Sequence, residues 1–415
     1  MDYKIWILER LIGKYEKSKS FTDGECNRKI GIRIQEESMV SERMESAEEK
    51  EHFLASLSEL KGQGLIDYSW IRYEQGNLID RIWLNIGAEP IEKCYERLGK
   101  SPKRDVIDAL KMMILRDAKR IENRDEIYEF LVEQSIFLEE KHKISRFFSE
   151  DLTTSEHLLR CLVYLADNKD EIQERVLSTN LYGDSKYFER SVKGKVLSVL
   201  RAIKKKAEEI FTDEELLRER GLVKWPEILE FTGSIEVFLK NGDTISYGTQ
   251  TYGAYINSLT VDEIERVDMT RINRVLFIEN KANYVWYTAH EKQEEELVLY
   301  HGGCYSPIKG RWFRKIYEGG LEKSQMLYFH WSDIDVGGFR IFTRLRQNVI
   351  PTLLPYRMDV ETLTEYREKG MPLPTASYRK LLRDMGEDPR YAEFREVIGM
   401  MCQWNIRLEQ ENLLI

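Results

Sequence analysis

Met326-Leu327-Tyr328-Phe329-His330-Trp331-Ser332-Asp333-Ile334-Asp335-Val336-Gly337-Gly338 is the stretch that decides the fold. Its apolar, aromatic first half reads as a buried strand, and it ends in Asp-x-Asp followed by two glycines. Two earlier runs share this form. Arg274-Val275-Leu276-Phe277-Ile278-Glu279-Asn280 closes on a carboxylate, and Glu296-Leu297-Val298-Leu299-Tyr300-His301-Gly302-Gly303 closes on a glycine pair. Helical spacing fills the gaps, so residues from about 273 to 343 predict an α/β unit with a parallel sheet. Residues just beyond the C-terminal strand ends of such a sheet share one crevice. Glu279, Asp333 and Asp335 are expected to meet there.

Three adjacent carboxylates repel and shift one another's pKa unless a hard divalent cation neutralises them. The expected ion is Mg2+ or Mn2+, which with phosphate oxygens as co-ligands can polarise a phosphodiester. The x in Asp-x-Asp matters, because a strand period of two puts both carboxylates on one side of an extended chain. Glu279, Asp333 and Asp335 are therefore the candidate catalytic and metal-binding residues. No organic-cofactor site is legible. Gly302-Gly303 lacks the following G-K-[ST] of a phosphate-binding loop, so ATP hydrolysis is not expected. The six histidines show no metal-ligand spacing. His301 and His330 are expected to pack or assist near the crevice, Cys304 to fill space, and Trp70, Tyr73 and Trp83 to pack in a wing or core.

Upstream of the sheet the charge balance changes. Lys186, Arg190, Lys193, Lys195, Arg201, Lys204, Lys205 and Lys206 face only Glu189 between residues 186 and 206. Val192, Val196, Val199, Leu200 and Ile203 give that segment an apolar side, so it predicts an amphipathic basic helix and a phosphate-contacting DNA surface. Ile235–Leu239 and Thr244–Tyr247 flank Asn241-Gly242-Asp243 as a hairpin. In the first 90 residues, Ile5, Leu8, Leu11, Ile12 and Tyr15 predict a helix. Ser46 with Glu49 predicts a capping box opening a second one on Phe53, Leu54, Leu57 and Leu60. Strands over 65–73 and 78–84 follow around Glu74-Gln75-Gly76-Asn77. Helix, helix, hairpin is the order of a winged helix. The expected organisation is a winged helix over 1–90, a helical arm or spacer over 91–175, a basic, winged-helix-like DNA-binding region over 176–268, an α/β domain over 269–390 and a C-terminal helix over 391–415.

The whole chain of 415 residues carries a net charge of −9, with 42% hydrophobic and 33% charged residues. That composition is globular, and no apolar run reaches the length of a membrane span. The N-terminus lacks a basic region followed by an apolar run and a cleavage site, which argues against secretion. Cys26, Cys94, Cys161, Cys304 and Cys402 are odd in number and far apart, which argues against a disulfide framework and for the cytoplasm.

Asp333-Ile334-Asp335-Val336-Gly337-Gly338-Phe339-Arg340-Ile341 resembles the Toprim motif D-x-D-(P)-x-G-x-x-I of type IIB topoisomerase A subunits and of the meiotic break-forming protein, with Val336 in place of the usual proline. Gly302-Gly303-Cys304-Tyr305-Ser306-Pro307, continuing to Arg311, is similar to the turn between the two acidic motifs of that domain. Tyr182-Gly183-Asp184-Ser185-Lys186-Tyr187-Phe188-Glu189, the Ile278-Glu279-Asn280 corner and the tail Arg407-Leu408-Glu409-Gln410-Glu411 resemble, over about residues 176–415, the nuclease subunit of the Wadjet anti-plasmid system. The resemblance implies a C-terminal Toprim domain and a metal-dependent endonuclease acting on circular double-stranded plasmid DNA. It also implies a homodimer, and partners in an SMC-like motor with its kleisin and winged-helix accessory. Topoisomerases of this type attack with a tyrosine. Tyr182 and Tyr187 are among many candidates here, but none sits in an alignable motif, so hydrolysis is the expected chemistry. The alternatives are a scaffolding DNA-binding protein with an idle Toprim domain, and a tyrosine-dependent strand cleaver.

Overall fold

Residues 1–120 and 129–156 make up one unit of the chain, and residues 121–128 with 157–415 make up the other. The structure, a computed structural model, describes every residue except 23, 25–28, 122–124, 207–210, 322–325 and 415, with the backbone alone at 39, 41, 205 and 206.

In the first unit, helix Tyr3–Tyr15 turns Ile7, Leu8, Leu11 and Ile12 inward, and Asp2 caps it by accepting from the N–H groups of Lys4 and Ile5. The second expected helix, Ala47–Gly62, buries Phe53, Leu57 and Leu60. Its capping box does not form: Ser46 makes no side-chain cap, and Glu49 accepts from the Tyr3 hydroxyl instead. Strands Ile66–Trp70 and Ile79–Leu84 pair antiparallel, and a third strand, Gly31–Arg33, joins the second. That third strand lies in a stretch whose polar residues mask the alternating Ile30, Ile32 and Ile34, all buried. The hairpin's first strand stops at Trp70, and Tyr73 stands 80% exposed with a left-handed φ of 68°. Tyr73 is thus no core residue. Helices Ala88–Leu98, Lys103–Ala118, Glu126–Lys141 and Leu152–Asp167 occupy most of the stretch up to residue 175.

The second unit is built on a six-stranded mixed sheet. Its strands are β1 (Ile228–Thr232), β2 (Ala254–Asn257), β3 (Arg274–Ile278), β4 (Glu296–Tyr300), β5 (Leu327–Trp331) and β6 (Leu353–Pro355), in the spatial order β6-β5-β3-β4-β1-β2. β4, β3, β5 and β6 are parallel, while β1 and β2 add an antiparallel edge drawn from before residue 269. Val275, Leu276, Phe277 and Ile278 are all fully buried, as expected of a central parallel strand with both faces covered. Helices α1 (Lys281–His290), α2 (Pro307–Gly320) and α3 (Val336–Asn348) follow β3, β4 and β5. From β3 the chain crosses to β4 on one side, then returns past β3 to β5 on the other. The strand order therefore reverses between β3 and β5, which is where ligands bind in open α/β sheets.

Three further features complete this unit. The predicted hairpin forms as Glu236–Leu239 and Thr244–Ser246, with Ile264–Asp268 as a third strand. The basic segment is a π-helical turn, Phe188–Val192, running into helix Lys193–Lys206, and its five predicted apolar residues are all buried. The C-terminal segment is α-helical over Arg395–Trp404, with the 3-10 turn Pro389–Phe394 leading into it. Asn405, at φ 59°, ends that helix, after which Ile406–Arg407 pairs with Met371–Pro372 and a short 3-10 turn covers Gln410–Leu413. Among the described residues no helix is long and apolar enough to cross a membrane.

Candidate functional site

Parallel register fixes the site. Ile278 lies level with Tyr300 on β4 and with Trp331 on β5, so the three strands end in line. The Glu279 N–H still bonds to the Trp331 carbonyl at 3.0 Å, one step past the last rung. Beyond it, Asn280 caps α1 by accepting from the N–H groups of Ala282 and Asn283, and the chain turns away. On the β5 side, Asp335 is extended (φ −156°) and caps α3, its Oδ1 accepting from the Gly338 N–H at 2.8 Å. Gly338 is required there, because a Cβ would lie 2.1 Å from the Asp333 carbonyl oxygen. The β4 end closes over the site through Gly302 and Gly303, both left-handed (φ 69° and 65°), with the Gly302 N–H on the Glu279 carbonyl at 3.1 Å. A run of two such residues suits glycine alone.

Burial and mutual repulsion dominate the electrostatics. Glu279 is raised well above the usual carboxylate range, first by burial, then by the charges of Asp333 and Asp335. Asp333 is pushed up to about 7 by burial and by Asp335, with further push from Glu411 and Glu409 and a counter-pull from the Gln410 N–H. Burial also raises Asp335, against the Gly338 N–H and the Arg407 charge. Glu279 Oε2 is buried with no hydrogen-bond partner. A buried carboxylate oxygen left open beside two more carboxylates fits a hard cation. Among the described residues, however, no three Asp, Glu, His or Cys side chains are gathered closely enough to hold an ion together. One or two carboxylates, with water and phosphate oxygens, are what Mg2+ uses.

The chain's tail completes the site. Ile334 and Leu408 form an antiparallel bridge, and the Gln410 N–H donates to Asp333 Oδ1 at 2.6 Å. Around the carboxylates opens a cleft of about 740 Å³, also lined by Lys204, Arg220, Arg340, Arg344, Arg390 and Arg407. Its floor is acidic and its walls are mixed in charge, since Asp125, Glu126, Glu215 and Glu219 line them too, and Lys204, Arg220 and Arg344 pair with Asp125, Glu126 or Glu219. Arg340, Arg407 and Gln410 lie in stretches that carry the family resemblance, although the sequence alone assigns them no role in the site; Arg220, Arg344 and Arg390 are scattered over separate elements, and only the fold gathers them.

Residues 237–415 match the family model described as Wadjet protein JetD, C-terminal. The whole chain is similar to the Wadjet protein JetD of Bacillus cereus (strain Q1), 25% identical over 420 residues that span 99% of this chain and 98% of that protein. Both matches point to the Wadjet JetD family. The matched C-terminal stretch contains β3 to β6, all three carboxylates and the tail.

The predicted DNA-contacting cations differ in their surroundings. Lys186, Arg190 and Arg201 are exposed, Arg190 beside Asp184 and Arg201 beside Asp213; Lys195 is half-buried. Lys193 pairs with Glu174 at 2.7 Å. Lys204 is only 8% exposed and lies 3.0 Å from Glu219 and 3.2 Å from Glu126, so its ammonium serves an internal network and not an open face. Burial would raise Glu219, but Arg344, Lys204 and Arg220 outweigh it and hold this carboxyl below its usual range. The side chains of Lys205 and Lys206 lie outside the described residues.

Other sequence expectations also find their place. His301 and His330 are fully buried, 5.2 Å apart ring to ring, and none of their ring nitrogens has a hydrogen-bond partner. Burial holds both well below the usual imidazole range, so both are neutral packing groups. Cys304 is buried in the cleft wall. Tyr182 donates to the His157 carbonyl, Tyr187 pairs with His157 Nδ1 at 2.8 Å, and neither lines the cleft.

Proposed function

We propose that this chain is the DNA-cleaving subunit of a Wadjet anti-plasmid complex, a Toprim-type endonuclease that hydrolyses phosphodiesters of circular double-stranded DNA with Mg2+ or Mn2+. The observation that carries this reading is the pairing of Glu279 with Asp333 and Asp335 across the switch point, all three raised by burial. A surplus of buried negative charge is unfavourable unless a cation joins it.

One or two of Glu279, Asp333 and Asp335 would hold the ion directly, with water and phosphate oxygens completing its shell. When bound, it supplies the Lewis-acid charge that offsets both the carboxylates and the phosphate. The chain's own groups do the rest. Arg407, 3.7 Å from Asp335, and Arg340 on the first turns of α3 orient a phosphate against the acidic floor. Tyr378, whose hydroxyl accepts from the Val336 N–H at 3.1 Å, is pushed up to about 12 by burial, the reverse of what a tyrosine nucleophile needs. Water is therefore the better nucleophile. The exposed cations Lys186, Arg190 and Arg201 are assigned to the DNA backbone. One site serves one strand, so a double-strand break calls for a twofold homodimer. The N-terminal winged helix and arm are left to dock a motor with its kleisin and accessory subunits, in the cytoplasm.

The test is cleavage of circular and linear plasmid by the pure chain, with and without its motor complex, in Mg2+ or in EDTA. Mg2+-dependent linearisation that Asp333→Ala abolishes, at a nearly unchanged melting temperature, is the expected result. Wild-type cleavage by Asp333→Ala would overturn the assignment.

A further inference from the structure

Gln410 is 1% exposed, and four hydrogen bonds tie it to the two corners that carry the candidate carboxylates and to the first turn of α1. Its backbone N–H donates to Asp333 Oδ1 at 2.6 Å. Its side-chain Nε2 donates to the Trp331 carbonyl at 3.1 Å, and its Oε1 accepts from the Asn280 N–H, also at 3.1 Å. Its carbonyl accepts from Asn283 Nδ2 at 2.8 Å.

The sheet explains why a carboxamide sits there. The β3–β5 ladder has its last rung at Ile278 and Trp331, and the Glu279 N–H already reaches back to the Trp331 carbonyl. Past that point α1 and the Asp-x-Asp loop diverge, which leaves the Asn280 N–H and a second lone pair on Trp331 O facing inward. A peptide group from another strand would satisfy both. The Gln410 side chain has the same donor and acceptor and takes its place. Methionine has the length but neither group; ionised glutamate has only acceptors and would oppose the Trp331 carbonyl.

We propose that Gln410 is a positioning residue, a carboxamide brace that continues the β3–β5 ladder by one rung and so fixes the Glu279 corner against the Asp333 corner. Its consequence for catalysis rests on the nuclease reading above. The alternative is that Gln410 merely anchors the tail. The tail keeps its other anchors without this side chain, namely the Ile334–Leu408 bridge, the Asn283 bond to the Gln410 carbonyl and the Gln410 N–H on Asp333. Side-chain variants therefore isolate the brace.

The experiment compares the full chain with Gln410→Met and, should that variant fold poorly, Gln410→Ala. Hydrogen–deuterium exchange is followed at residues 279–284, 331–336 and 406–413, and Mn2+ affinity is measured by calorimetry without DNA. Faster exchange in the first two segments, with the tail unchanged and Mn2+ affinity about 10–100-fold weaker, supports the brace. Exchange at both corners equal to wild type, or acceleration confined to the tail, overturns it. Failure of the wild-type chain to bind Mn2+ would sink the nuclease reading, while the exchange pattern would still decide the role of Gln410.

Discussion

Ile334, the residue between the two aspartates, exchanges two backbone hydrogen bonds with Leu408, at 2.9 and 3.2 Å. The Asp-x-Asp loop is thereby stitched to a segment far away in sequence. Deleting residues 406–415 should leave a cooperatively melting protein, because β3 to β6 and their helices remain. Cleavage should nevertheless be lost, since Asp333 loses the Gln410 N–H and Asp335 loses Arg407. Circular dichroism melts with a plasmid assay check both, and a fully active truncated chain would contradict this account.

The raised carboxylates give a pH signature. A folded-state pKa of about 7 for Asp333, against an ordinary 3.8, means that the folded chain binds more protons than the unfolded one between those values. Stability of the metal-free protein should therefore fall as pH rises from about 4 to about 7. Coupling to Glu279 and Asp335, both raised, spreads the transition over several steps. Mg2+ should reverse the trend, raising the melting temperature most at the alkaline end, where the carboxylates are ionised. Scanning calorimetry in EDTA and in Mg2+ across that range is the measurement. A metal-free melting temperature that climbs with pH would refute it.

Much of this site is legible in the sequence, for a physical reason. Buried parallel strands are short, apolar runs, and their C-terminal ends are where polar residues reappear, so Glu279, Gly302-Gly303 and Asp333-Ile334-Asp335 mark themselves. What the sequence hides is whatever depends on long-range partners. Gly31–Arg33 is three residues long and becomes a strand only beside Ile79–Leu84. Ser46 and Glu49 spell a capping box, yet the Tyr3 hydroxyl claims Glu49. Lys204 looks like its basic neighbours until Glu219 and Glu126 are folded against it.

That difference among the lysines is testable. Lys204→Ala removes one partner from a buried carboxylate, leaving Arg344 and Arg220 to hold it, and should cost about 1–3 kcal/mol of stability. Lys186→Ala, at an exposed position, should leave the melt unchanged and weaken DNA binding equally for all sequences, lowering the salt slope by about 1. Urea melts and salt-dependent binding separate the two. A Lys204 variant with wild-type stability and an altered salt slope would return Lys204 to the DNA surface.

Gly338→Ala offers the sharpest geometric test, because it changes no chemical group. The added Cβ would stand 2.1 Å from the Asp333 carbonyl oxygen and 2.7 Å from Ser332 Oγ, distances that real Cβ atoms do not show. The first turn of α3 must therefore shift, and Asp335 caps that turn through the Gly338 N–H. Overpacking of this kind costs about 1–3 kcal/mol, so the melting temperature should fall by several degrees while the protein still folds. Cleavage should fall much further than stability does, measured below the variant's own melting range, because both aspartates ride on the displaced loop. Gly399→Ala serves as the control: it sits in helix Arg395–Trp404 with nothing within 4 Å of the new methyl, and alanine favours a helix. It should melt at or above the wild-type temperature and cut normally. If Gly338→Ala matched that control in both assays, the close approach of α3 to the Asp333 carbonyl would be of no consequence to the site.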